Sequence, residues 1–394
     1  MPIVFIVVLL DTIGFGIVIP ILPFLSPELG ATNTDIALII ASYAACAGIV
    51  GPFWGRLSDR IGRKPVLIIC LIGGALAYFF LGIAQDLWMI FSARAFAGLM
   101  AGNFGVAQAM MADISSSENR ARGMGLIGAA FGLGLVLGPS LGGLLSGGVG
   151  NFMAPCFLAG TASLLATFAA VIFLKESKPP ELADQSEMYR SDESGISTWS
   201  IVKETGNRLL ILQYVLHTAG VSWSTYLFPL WVGSLLSWGP SEVGIVFGLV
   251  GGIMVFTQGL IIGPVVKIIG EIKLLRLGVM NFFFGLLMAS LTSEPIFMVT
   301  AILIALTGAT LCMPLLNTIT SYRTPSKFRG QILGTTSSAA AWGRVVGPML
   351  ASAVLPLVGF NGAWFGCAVL ISIYLCWALF TLDYRTHDNM NVRN

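Results

Sequence analysis

Few residues in this chain can do chemistry, and those that can stand in unusual surroundings. Asp11 lies within VVLLDTIGFG, about a third of the way along an apolar stretch. A carboxylate at the centre of a membrane helix costs about 2.5–3.5 kcal/mol on insertion scales. A group for which charge is that costly is suited to taking up and releasing a proton. Arg94 and Arg344 also interrupt apolar stretches. A guanidinium keeps its charge, so Arg94 beside a carboxylate would set how tightly that group holds a proton. Arg344 could bind an anionic group, displace a proton by repulsion, or brace its neighbours. A further constellation is the run Gly55-Arg56-Leu57-Ser58-Asp59-Arg60-Ile61-Gly62-Arg63-Lys64-Pro65. There a short connection can bring the Asp59 carboxylate to a helix N-terminus or to an Arg pair.

Other chemistries find no support. His217 and His387 are the only histidines, and the six cysteines are scattered through apolar stretches without a CxxC pair, so no metal site is expected. HExxH and GxxxxGK[ST] are absent, so the chain reads as neither an enzyme nor an ATPase. Uphill work would have to draw on an ion gradient. A net charge of +2 argues against a nucleic-acid partner.

These residues must be positioned by helices in lipid. Of 394 residues, 56% are hydrophobic and 10% charged, against about 25% charged in a soluble chain. The 47 glycines suit closely packed membrane helices. Windows of about 20 apolar residues predict twelve spans, roughly 3–26, 36–55, 66–84, 88–112, 122–146, 152–174, 207–236, 241–266, 272–292, 295–320, 329–356 and 360–382. The first is too long for a signal-peptide core, so it is expected to be retained. Arg56, Arg60, Arg63, Lys64, Arg120, Arg122, Lys267, Lys273, Arg276, Arg323, Lys327 and Arg329 all fall in the even-numbered connections, whereas the odd-numbered ones hold no Lys or Arg. Both termini are therefore expected in the cytoplasm.

The run KESKPPELADQSEMYRSDESG reads as a solvated linker. Expected domains are a six-helix bundle at 1–174, a cytoplasmic linker at 175–206, a second bundle at 207–383 and a tail at 384–394. The halves repeat. Gly125, Gly134, Gly138, Pro139, Gly142 and Gly143 recur 209 residues later as Gly334, Gly343, Gly347, Pro348, Ala351 and Ser352. Gly55 and Gly62 recur 208 residues later as Gly263 and Gly270, with Lys267 in the place of Asp59. Such a repeat marks carriers that bind their substrate between two halves near the midplane. Small residues in the 122–146 stretch would let helices approach, and Pro139 would bend it.

The 55–65 run resembles the signature loop of the major facilitator superfamily. The glycine-proline pattern from Gly125 to Gly143 is similar to the motif of its proton-driven exporters. The stretch from Asp11 to Pro23 looks like the first span of the tetracycline/proton antiporters, the branch this chain resembles most. The resemblance implies an all-α polytopic protein with twelve transmembrane helices in two pseudo-symmetric bundles. It implies a cytoplasmic latch of Gly55, Asp59, Arg60, Gly62 and Arg63, with Arg63 pairing with Asp113. It also implies Asp11 and Arg94 as the proton-coupling pair. Arg94-x-x-x-Gly98 is similar to a third family motif, with Ala97 where Gln is usual. Candidate cavity residues are Phe15, Asn103, Gln108, His217, Gln258, Asn281, Asn317 and Arg344, with Tyr43, Trp223, Trp231 and Trp342 available to stack on a planar guest. Gln258 matches a polar position of the tetracycline exporters, although Met254 replaces a His that some members carry.

The expected function is proton-coupled export of a small amphipathic drug, tetracycline-like or multidrug, from a bacterial inner membrane. A carrier of an endogenous metabolite and a non-transporting receptor are the alternatives. No cofactor is expected beyond the proton gradient, with magnesium entering as part of a chelated substrate. The expected partners are the small-molecule substrate, protons and the bilayer, and nothing in the chain demands more than a monomer.

Overall fold

A computed structural model of the chain describes residues 2–115, 120–146, 152–177, 208–324 and 329–380. Among these residues there is no strand. In chain order the helices are α1 Pro2–Val18, α2 Leu22–Glu28, α3 Asn33–Ile61, α4 Arg63–Gly82, α5 Leu87–Leu99, α6 Asn103–Ile114, α7 Arg120–Ser146 and α8 Met153–Phe173. They continue with α9 Arg208–Leu236, α10 Pro240–Phe256, a π-turn at Thr257–Ile261, α11 Ile262–Ile269, α12 Glu271–Ser290, α13 Pro295–Arg323 and α14 Arg329–Phe380. Among the described residues, ten helical segments are long and apolar enough to cross a membrane. The expected tail and most of the expected linker, from residue 178 onward, lie outside the described residues.

Helix ends follow local chemistry. Thr32 and Asp35 form a reciprocal capping box at the start of α3. The Asp86 carboxylate accepts the Met89 N–H at 2.8 Å to cap α5. The repeated glycines have a common cause. Gly62 between α3 and α4 sits at φ 102°, and Gly270 between α11 and α12 at φ 81°. A side chain would strain both turns. In α14 the backbone leaves helical geometry at Gly359, φ 68°.

Two compact units result. One holds the described residues up to 177 together with Val232–Val255, and the other holds 208–231 and 256–380. In the first, α1 packs on α7 and α8, α4 on α8, and α3 on α5. In the second, α12 packs on α13 and α14. The second unit's interior is aromatic, with Trp231 and Trp364 rings 5.1 Å apart and Tyr214, Tyr226, Phe228, Phe282 and Tyr374 all buried.

Candidate functional site

Asp11 immediately precedes a close helix pairing. Gly134, Gly138 and Gly142 recur every four residues, so they line one face of α7. A Cβ at Gly134 would press on Thr12, one at Gly138 would come 2.6 Å from the Gly16 Cα, and one at Gly142 would strike the Ile17 carbonyl. Thr12 turns its hydroxyl back to the Val8 carbonyl at 2.7 Å and so adds no unpaired polar group to this contact. The glycines therefore seat α1 at one height and rotation against α7.

On its other side α7 grips α10. A Cβ on Gly143 would lie 2.6 Å from the Pro240 carbonyl, and one on Gly244 would lie 2.5 Å from the Pro139 carbonyl. Gly248 faces Ser140, Gly251 faces Val136, and the Ser241 hydroxyl donates to the Gly143 carbonyl at 2.8 Å. Gly125 lies in α7 where the surroundings fall outside the described residues.

The Asp11 carboxylate accepts a hydrogen bond from Asn103 Nδ2. Asn103 is the first residue of α6, just past the break that separates it from α5. The break leaves the Leu99 carbonyl without a helical partner, and Trp54 of α3 supplies one through its indole N–H at 2.6 Å. Gly102 lies directly against the Trp54 ring. Asn103 Oδ1 accepts the Phe104 N–H at 2.9 Å, which leaves the amide N–H to point at Asp11.

Arg94 is buried but forms no ion pair with Asp11. Its guanidinium carbon sits 4.4 Å above the Tyr43 ring, and Nε and Nη1 have no hydrogen-bond partner. The expected pairing is thus replaced by a cation–π contact, which stabilises a desolvated guanidinium by about 2 kcal/mol. Phe15 packs against Tyr43 at 5.5 Å, so Phe15, Tyr43 and Arg94 form one stack. Tyr78, which the sequence did not single out, is within electrostatic reach of both Asp11 and Arg94 and touches the position of Gly14. Gln108 is half-buried.

The 55–65 run folds into an ionic knot. Arg63 donates from Nε to Asp113 at 3.1 Å, from Nη2 to Asp59 at 2.7 Å and from Nη1 to Ser58 at 2.6 Å. Glu176, beyond α8, accepts the backbone N–H groups of Arg63 at 2.9 Å and Lys64 at 3.0 Å. It thereby occupies the N-terminus of α4, where a helix presents unpaired donors and partial positive charge. Gly62 is required twice over, because a Cβ there would also lie 2.5 Å from the Glu176 carboxylate. Arg60 is exposed, and a Cβ on Gly55 would meet open space. In the second copy Lys267 and Glu271 stand at the positions of Asp59 and Arg63, with the two charges exchanged.

In the second unit the candidate residues are dispersed. His217 is 2% exposed, with its ring 6.1 Å from Phe282 and 6.0 Å from Tyr374 and Nδ1 without a partner. Gln258 Nε2 donates to the Thr310 carbonyl at 2.9 Å. Asn317 is exposed and accepts from the Tyr214 hydroxyl at 2.7 Å. Asn281, Arg344 and Trp342 are exposed, whereas Trp223 and Trp231 are packed inside the unit rather than turned to a guest.

An all-helical chain with many apolar spans, a half-buried carboxylate within one of them and a charge knot at a helix junction defines a polytopic membrane transporter. The sequence model of the Major Facilitator Superfamily matches residues 4–343 and 210–391, and the chain belongs to that family. It is a transporter, not an enzyme. The chain is 27% identical over 384 residues to the class H tetracycline resistance protein of Pasteurella multocida, covering 96% of this chain and 95% of the relative. It is 30% identical over 353 residues to the class D protein of Salmonella ordonez, covering 88% and 86%. Among solved structures, the human organic anion transporter MFSD10 shares the fold with a TM-score of 0.74 and 22% identity, covering 96% of this chain and 98% of that one.

Proposed function

We propose that this chain is a proton-coupled antiporter of a bacterial inner membrane that exports a tetracycline-like amphipathic drug by alternating access. The observation that carries the reading is Asp11, a carboxylate inside a membrane helix whose hydrogen-bond partner is a neutral amide rather than a cation. A carboxylate in apolar surroundings with a neutral partner can take up and release a proton, and exchange of that proton between the two sides can drive the cycle. The relatives named as tetracycline resistance proteins support drug export as the direction of work.

In this reading the chain has twelve spans. Arg208–Leu236, at 29 residues, is long enough to cross despite its polar side chains, and the turn at Gly359 divides the 52-residue α14 into two crossings. Both termini are cytoplasmic, and the protein works as a monomer without a resident cofactor. Magnesium is carried as part of the chelated drug. Protons entering from outside load Asp11, and drug binds the inward-facing, deprotonated form. Phe15, Asn103, Gln108, Asn281, Asn317 and Arg344 are the side chains offered to the drug. The Arg63 knot acts as the conformational latch.

The test is drug-triggered proton release from energised everted vesicles, using magnesium-tetracycline, for the native chain and Asp11→Asn. Native release that the variant lacks is the expected result. An Asp11→Asn chain that still pumps uphill with full proton coupling would sink the assignment.

A further inference from the structure

In α13, Pro314 has no N–H, so the Thr310 carbonyl four residues earlier has no donor of its own helix. Gln258 fills that vacancy by donating Nε2 to Thr310 at 2.9 Å. Gln258 itself sits in the π-turn, where the Ile262 N–H reaches back five residues to the Thr257 carbonyl. Such widened turns are rare and occur mainly where a helix has a functional reason for them. One bond therefore ties an irregular turn in one helix to the irregular turn of another.

We infer that Gln258 is a positioning residue that fixes the π-turn at Thr257–Ile261 to the carbonyl freed by Pro314. The inference rests on the transport reading for its purpose. Its geometry does not depend on which drug is carried. The amide donor of Gln258 is already committed to backbone, so its first task is to hold α11 and α13 in register.

The test is a double-mutant cycle on the purified full chain in lipid nanodiscs. Gln258→Met keeps length and removes the donor, and Pro314→Ala restores an N–H to Thr310. Hydrogen exchange is followed at the amides of residues 258–262 and 311–318. Loss of one such bond should speed exchange about fivefold in Gln258→Met. The same substitution should change it by less than about twofold when Pro314→Ala is present. Equal acceleration in both backgrounds, or none in either, overturns the inference. This readout needs no drug, so it fails separately from the transport reading. With labelled tetracycline as the probe in energised everted vesicles, a positioning role lowers kcat at constant KM, with recovery in the double variant. A raised KM at constant kcat makes Gln258 a drug ligand and overturns the inference as well.

Discussion

Asn103 donates its amide N–H to the Asp11 carboxylate from the first turn of α6, immediately beyond a break in the helix that Trp54 holds open. The partner of the Asp11 acid is therefore placed by a gap in a helix, and three residues on three helices set one hydrogen bond. Asn103→Leu keeps the volume and removes the donor. A hydrogen bond to a charged group contributes about 1.5–3 kcal/mol, so drug efflux should slow by roughly tenfold or more while expression persists. Asn103→Asp adds a second carboxylate beside the first and should impair coupling further. Efflux rates in vesicles at matched protein levels check both. Native rates in Asn103→Leu would remove Asn103 from the coupling site.

Trp54 is the second point of leverage. Trp54→Phe preserves an aromatic ring against Gly102 but leaves the Leu99 carbonyl without its donor. A lost hydrogen bond costs about 0.5–1.5 kcal/mol. The variant should melt several degrees lower in detergent, and its efflux should fall in step with Asn103→Leu because both disturb the same gap. A melting point equal to that of the native chain would show that the break stands without Trp54.

The Glu176 carboxylate spans 113 residues to cap α4 through Arg63 N and Lys64 N. Removing a cap costs about 0.5–2 kcal/mol. Glu176→Ala should lower thermal stability by that order, and Glu176→Gln by less, because an amide oxygen can still accept. Arg63→Lys keeps a charge but loses the planar fork that reaches Asp113, Asp59 and Ser58 together. It should therefore slow transport more than it destabilises the protein. If Arg63→Lys matched the native rate, the latch would need only a point charge.

The contrast between Arg63 and Arg94 explains what could be read from the chain. Arg63 lies in a run where Asp59 is four residues away and one turn brings both to one side, so local spacing carries most of the knot. The Arg63–Asp113 contact came from the resemblance. Glu176 was hidden, because a Glu in a charged, proline-containing run reads as solvated linker, and only the fold brings it to α4. Arg94 was expected on Asp11, since two opposite charges in apolar helices invite pairing. Its place over Tyr43 depends on the rotation of α5 against α3, which periodicity does not specify. Trp54 and the break at residues 100–102 gave no signal, because Met100, Ala101 and Gly102 continue an apolar run.

The glycine spacing was legible in the sequence, and the structure separates glycines that matter from glycines that do not. Gly138 meets Gly16 and Ile13 of α1, and Gly347 meets Ala219 and Trp223 of α9, at the repeated position of each half. Gly128 in α7 and Gly334 in α14 have open space where a Cβ would stand. Gly138→Ala and Gly347→Ala must push helices apart against backbone, which costs about 1–3 kcal/mol. Gly128→Ala and Gly334→Ala carry no such clash and should gain slightly from the better helix propensity of Ala. The expected order of melting temperature places Gly128→Ala and Gly334→Ala at or above the native chain and Gly138→Ala and Gly347→Ala clearly below it. Efflux should follow the same order, with Gly138→Ala the more severe of the two losses because it displaces the helix that carries Asp11. Similar effects from all four substitutions would mean that the motif acts through backbone flexibility rather than close approach, since flexibility is lost equally at every one of these glycines.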